Sequence, residues 1–172
     1  MREAFSPLQP PNPSFEREGR PKGLNVLGLL AWYPELARAF NVFNGHVLYA
    51  STLTPRQREL LVLRVAAVRD SRYEWEQHVA RAADNGIEAD EVSRVAAGPD
   101  APGWSDLERA LLRAVDDLLS TARIGDEAWS ALAGTFEMQQ LMDVVFTVGM
   151  YDTLAMALCT FDVPLDDDLK PQ

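Results

Sequence analysis

The sequence predicts an all-α fold, a compact single-domain array of about seven helices, and three observations carry that prediction. Apolar residues recur at three- and four-residue spacing through most of the chain. Cap signatures stand at the expected helix starts, and no apolar/polar alternation of the strand kind competes with them.

Residues 1–23 carry Pro7, Pro10, Pro11, Pro13 and Pro21 among charges, which blocks helix and leaves little to bury. They read as an extended or flexible arm, with Phe5, Leu8 and Phe15 available to lie on a neighbouring subunit. The helical domain then spans residues 24–167, and 168–172 form a C-terminal tail.

The first helix starts near Pro34, a first-turn proline, and shows Leu36, Phe40, Phe43 and Val47 on one side. Its end is not marked. Thr54, Pro55 and Gln57 form an N-cap, a first-turn proline and a capping box, opening a helix through Val68 that is apolar on nearly every side. That helix is therefore central to the fold, and Glu59 and Arg64, its polar exceptions, each need a partner, an exit to solvent or a job.

A helix from about Arg72 to Asn85 follows, closed by Gly86, and a short one from about Glu88 to Ala97 ends at Gly98-Pro99. Ser105 and Glu108 make a second capping box, before Leu107, Leu111, Leu112, Val115, Leu118 and Leu119 on one face. A helix near Glu127 to Gly134 and a long apolar one from about Gln139 to Phe161 complete the array. The apolar wealth of Leu60–Val68 and Leu141–Leu158 suggests that part of one is covered by another subunit, so a homo-oligomer is expected.

Composition excludes several classes of function. A formal charge of -10 on 172 residues lacks the basic footprint of a nucleic-acid binder and repels anionic lipid. Cys159 is the single cysteine, so neither an intrachain disulfide nor a cysteine-rich metal site can form, which suits a reducing cytoplasm. The N-terminus lacks the apolar run of a secretory signal, and no stretch approaches the roughly 20 apolar residues of a membrane span. Neither membrane nor nucleic acid is an expected partner; a small-molecule substrate is.

One grouping could carry chemistry. Glu74 and His78 lie four apart on one helix, so a carboxylate can approach and orient an imidazole, as a general acid or base requires. Ser71-x-x-Glu74 also fits a capping box, which would make Glu74 a first-turn residue with no chemical role. Glu59 could be a solvated acid beside Arg56 or Arg58, and His46 a surface histidine or a second histidine of the same pocket. Trp32, Trp75 and Tyr151 are read as packing residues, Cys159 as a core residue, and Asp152 as a partner for Arg64 or another buried cation.

The stretches WYPELARAFNVFNGHVL, LTPRQRELLVLRVAAVRDSRYEWEQHVARAADNGI, ERALLRAVDDLL and VVFTVGMYDTLAMALCTFDVPL resemble the carboxymuconolactone decarboxylase and alkylhydroperoxidase D family. The peroxidatic branch of that family is marked by a glutamate, eleven residues, a Cys-x-x-Cys pair, three residues and a histidine. Glu59 fills the glutamate place and His78 the histidine place, with Tyr73 between the cysteine positions, but those positions hold Ser71 and Glu74. A thiol peroxidase needs one thiolate to be oxidised and a second to resolve it, and neither residue can do this.

The resemblance therefore implies the family's other chemistry, a cofactor-independent lyase or isomerase acting by proton transfer on a small organic acid, lactone or carbonyl compound. Its catalytic candidates are Glu59, Tyr73, Glu74 and His78, with neither a metal nor an organic cofactor. His78 would be the acid or base, Glu59 the orienting or second proton-transfer group, and Tyr73 a hydrogen-bond donor to oxygen. The alternatives are a noncatalytic binding or structural member and, less favoured, residual peroxidase activity.

Overall fold

The computed structural model describes residues 24–170, so the expected arm, 1–23, lies outside the described residues. These are helical, with no strand among them: α1 (Asn25–Leu30), α2 (Pro34–Gly45), α3 (Pro55–Val68), α4 (Arg72–Val79), α5 (Ala89–Ala97), α6 (Asp106–Thr121), α7 (Asp126–Ala133) and α8 (Met138–Thr160). A π-helical turn, His46–Ala50, continues α2, and short 3-10 turns lie at Ala83–Asn85 and Asp167–Leu169.

The chain forms two compact units. The smaller comprises residues to Ser51 together with those from Phe161 on. Within it the Asp166 carboxylate accepts the Asn25 N–H at 2.7 Å, and the Asn25 side chain donates to the Pro164 carbonyl at 3.0 Å. The sequence reading had no helix here. A free N-terminal N–H of α1 finds its acceptor about 140 residues away, outside the reach of any local pattern. His46 is exposed in this unit, and Trp32, expected to pack, is 90% exposed in the turn between α1 and α2.

The larger unit, Thr52–Thr160, is built around α3. Thr54 accepts the Gln57 N–H at 3.2 Å and the Gln57 side chain returns the bond at 2.9 Å, so the capping box forms as expected. Leu60, Leu61, Val62, Leu63, Val65 and Ala66 are buried, because α4, α5, α6 and α8 all pack against α3. Leu60, Leu63, Ala82, Ile87, Val95, Trp104 and Leu112 make one core cluster, onto which Trp75 packs. Each leucine there is worth about 2–5 kcal/mol against alanine.

The link from α3 to α4 is three residues long, and its geometry places the site. Asp70 adopts a left-handed φ of 51°, its N–H bonds Ala67 and the Ser71 N–H reaches back to Ala66 at 3.0 Å. That pattern closes a helix with a tight reversal, and aspartate is among the few residues besides glycine that tolerate it. The chain is thereby folded so that residues about two to three turns on either side of the joint face one another.

α4 is shorter than the expected Arg72–Asn85. After Val79 the bonds shift to three-residue closures, Arg81 N–H to His78 and Ala82 N–H to Val79, and Gly86 at φ 79° ends the following 3-10 turn. Asp152 finds its cation in Arg69, at 2.5 Å, and not in Arg64, which pairs with Asp116 at 2.7 Å.

α8, the long apolar helix expected from about Gln139 to Phe161, is long and apolar enough to cross a membrane by length and composition, against the expectation that no stretch approaches that length. It is half buried as a core helix, with Asp143 accepting the Thr52 N–H at 2.6 Å and its hydroxyl at 2.8 Å. Its outer side leaves Met138, Met142, Val145, Phe146 and Met156 exposed, and Cys159, expected in the core, is exposed in its last turn.

Candidate functional site

Glu59 is buried from α3 and His78 from α4, at 3% and 7% exposure. The reversal at Asp70 brings them together, and Nδ1 of His78 stands 2.7 Å from Oε1 of Glu59. The expected partners of Glu59 are engaged otherwise or absent from it: Arg56 binds Glu91 and Glu108, at 2.7 and 2.6 Å. Glu59 is thus not a solvated first-turn acid. It is also the carboxylate that His78 meets, in place of the neighbouring Glu74 expected from the four-residue spacing.

With Glu59 as a carboxylate, Nδ1–H of His78 donates to it. That fixes the ring and leaves Nε2 as the nitrogen able to take or give a proton. The edge of the ring meets Tyr151 of α8, centroids 5.2 Å apart and planes at 85°. Tyr151 is buried, and burial, with the nearby Glu59 carboxylate, pushes its phenol well above the ordinary value, so it keeps its proton.

Glu74 gives the sharpest correction. Ser71 makes no side-chain cap bond, so the Ser71–Glu74 capping box does not exist. Glu74 is 2% exposed, and neither carboxyl oxygen has a hydrogen-bond partner among the described residues. Burial, reinforced by the Asp152 charge, raises its carboxyl well above the usual carboxylate range. Ser71, 1% exposed, likewise has an Oγ without a partner among the described residues.

Ser71, Glu74 and His78 stand at i, i+3 and i+7, one inward stripe of α4. At its start lies an open pocket of about 300 Å³ lined by Ala66, Ala67, Asp70, Ser71, Arg72, Trp75 and Ala96. Tyr73 is buried on the same helix at 6% exposure, but the tyrosine whose ring meets His78 is Tyr151. Tyr151 is buried, as its reading as a packing residue expects, but its contact with His78 was not foreseen; the available signal was a Tyr-Asp pair in the middle of an otherwise apolar helix. Among the described residues no three His, Cys, Asp or Glu side chains converge as metal ligands.

Residues 34–117 match the carboxymuconolactone decarboxylase family, in agreement with the resemblance read from the sequence. No curated protein matches the chain. Among solved structures, a protein of unknown function from Agrobacterium tumefaciens, named for antioxidant defence and AhpD, is 20% identical with a TM-score of 0.73, over 79% of this chain and 94% of its own. An alkylhydroperoxidase AhpD core, an uncharacterized peroxidase-related protein from Ralstonia eutropha JMP134, is 20% identical with a TM-score of 0.74, covering 85% and 78%. An uncharacterized peroxidase-related protein from Silicibacter sp. TM1040 is 16% identical with a TM-score of 0.77, covering 87% and 80%. The fold is thus the alkylhydroperoxidase D-like one.

Proposed function

We propose, for a chain whose residues 34–117 match the carboxymuconolactone decarboxylase family on an alkylhydroperoxidase D-like fold, a lyase or isomerase activity that moves a proton on a small organic acid, lactone or carbonyl compound. The observation that carries this reading is the buried 2.7 Å bond between Glu59 and His78. It holds an imidazole in one orientation, with Nε2 directed away from its carboxylate, which is what a positioned general base needs.

In this reading Nε2 of His78 takes a proton from carbon next to a carbonyl, or returns one to the enolate left by decarboxylation. The developing imidazolium is stabilised by Glu59, and Glu74, Tyr73 and Tyr151 supply polar groups near the developing oxygen charge. A member without turnover is the competing reading. It rests on the absence of both cysteines and on Glu74 as a capping residue, and with the cap bond absent only the first support is left.

Two of the similar structures bear peroxidase-related names, so thiol chemistry has its own control. The two thiol positions hold Ser71 and Glu74, and Cys159 lies exposed at the far end of α8. Hydroperoxide consumption that survives Cys159→Ser would contradict the assignment.

The direct test is solvent-deuterium incorporation, followed by NMR, into a panel of small ketones, lactones and keto acids. The wild-type protein should exchange at least one of them, with about 10²–10⁴-fold slower exchange in His78→Gln. Glu59→Gln should also be slow, with the imidazole in place but its carboxylate gone. Full exchange by both folded variants would sink the proposal.

A further inference from the structure

The proposed reaction sets Glu74 among the polar groups near the developing charge but gives no reason for its enclosed, unbonded state. That residue is the least satisfied group in the larger unit: a carboxyl almost fully enclosed, with both oxygens unbonded among the described residues. A buried polar group left so is destabilising, and each one in a native structure calls for an explanation. Local architecture does not supply one, since Glu74 caps nothing.

The surroundings fix its form. The charged neighbour felt most is Asp152, of the same sign, and the cation of that neighbourhood, Arg69, is held by Asp152 at 2.5 Å. The other groups on this side are Glu59, again of the same sign, and the phenol of Tyr151. Arg58 and Arg81 act on Tyr151 through space, but no cation bonds the Glu74 oxygens. A carboxylate in that place would be enclosed without a partner, whereas a carboxylic acid is merely a polar group with an O–H to give.

We infer that Glu74 stands in the site as a neutral carboxylic acid and donates its O–H to the carbonyl oxygen of an uncharged substrate end, a ketone, ester or lactone. It lies one turn before His78 on the inward stripe of α4, and one turn after Ser71, where the pocket opens.

This rests on the proton-transfer reading and specifies its substrate class. His78 Nε2 removes a proton from the carbon beside the carbonyl, the C–H electron pair becomes the new C=C bond, and the carbonyl pair moves onto oxygen. That oxygen accepts the Glu74 O–H more strongly as its charge grows, while the proton stays on His78 until it is returned to carbon. An anionic substrate end facing Glu74 would meet Glu59 and Asp152 as well, so the group bound there is uncharged before reaction. The role needs a group that remains protonated at neutral pH, which a solvated carboxylate could not fill.

The test uses the full chain and 4-nitrophenol, whose ionised oxygen mimics an enolate and whose absorbance reports its ionisation. The wild type should bind it saturably, its oxygen accepting the Glu74 O–H, and the absorbance shows whether that oxygen is ionised. Glu74→Met, which lacks a donor, should weaken binding at least about tenfold, and Glu74→Gln, which keeps an N–H donor, should restore most of it. Infrared difference spectra should show a protonated carboxyl C=O band in the wild type that is missing from both variants. A missing band, no saturable binding by the wild type, or equal binding by Glu74→Met overturns the inference. Failure of deuterium exchange with the band and the Glu74-sensitive binding intact would fall on the proton-transfer reading alone.

Discussion

Replacing Glu74 with methionine should make the protein more stable, and increasingly so as the pH rises. At low pH the change removes a neutral acid that is buried without a partner and fills its place with an adaptable apolar chain, a gain of about 1–3 kcal/mol. A second contribution comes from ionisation. In the folded protein the carboxyl is raised well above its ordinary value of 4.5, so between those two values the unfolded chain has released a proton that the folded chain still holds. Stability then falls with pH, by up to about 1.4 kcal/mol per unit, from the unfolded value until the folded group ionises. Wild type and Glu74→Met should therefore diverge upward from about pH 4.5, by up to about 1.4 kcal/mol per unit for as long as the folded carboxyl stays protonated. Urea unfolding at several pH values between 5 and 8, with matched m-values, measures the gap directly. A gap that stays constant with pH, or a methionine variant less stable than wild type near pH 7, would refute both the burial argument and the protonated state.

Arg56 holds α3 to α5 and α6 through Glu91 and Glu108 and also donates to the Gly86 carbonyl. Arg56→Met should cost about 1–3 kcal/mol near pH 7, reduced by partial exposure, in chemical denaturation. Hydrogen bonds from Arg56 hold Glu91 down to about 2, and Glu108 is also lowered, so this stabilisation exists above about pH 4.5 and fades as pH falls toward 2. The variant should show a shallower acid limb over that window. Gly98→Ala should lose about 1–3 kcal/mol by the same assay, because φ is +105° and the new Cβ would meet the Arg64 guanidinium at 3.0 Å. Arg64 is held by Asp116 and by the Val95 and Ala96 carbonyls, so moving it aside would loosen those bonds. Equal stability of Gly98→Ala would show that this loop repacks freely.

What could be read in the sequence was what local chemistry encodes. The Thr54 and Ser105 capping boxes were legible because every participant lies within four residues, and α3 was recognised as central because apolar side chains on all sides leave a helix no solvent face. The bond joining Glu59 to His78 was not legible from spacing. It depends on a left-handed Asp70 in a three-residue joint, whereas the spacing pointed to Glu74. Ser71-x-x-Glu74 misled for a related reason: a capping pattern describes what a side chain can do where the helix start meets water, and here that start is buried. Helix α1 and the Arg69–Asp152 pair depend on partners about 140 and 83 residues distant, beyond any window of periodicity.

Serine and glutamate at the two positions where the resembling peroxidatic pattern has thiols differ from them in more than redox chemistry. Thiols at a helix start are useful when they ionise, so a redox site there has to favour the thiolate. The same place in this chain has no bonded cation, encloses Glu74 and sets Asp152 nearby, an environment that disfavours any anion. Glu59 and His78, by contrast, remain joined by a short bond that works equally well for moving a proton to or from carbon. A site with a basic imidazole on one side and a carboxylic acid kept neutral on the other divides its two roles by environment, since water-exposed Glu74 would be one more carboxylate. If that division is real, exposing Glu74 should be as damaging as deleting it. Ala66→Asp or Ala155→Lys would place a charge in the packing of α3 or α8, but each would also break the core. Asp152→Asn is the gentler probe, because it removes the like charge and frees Arg69 to act on Glu74. The protonated carboxyl band should then titrate at lower pH than in the wild type, and 4-nitrophenol binding near neutrality should fall with it. A band that does not move would mean that burial alone holds the proton on Glu74.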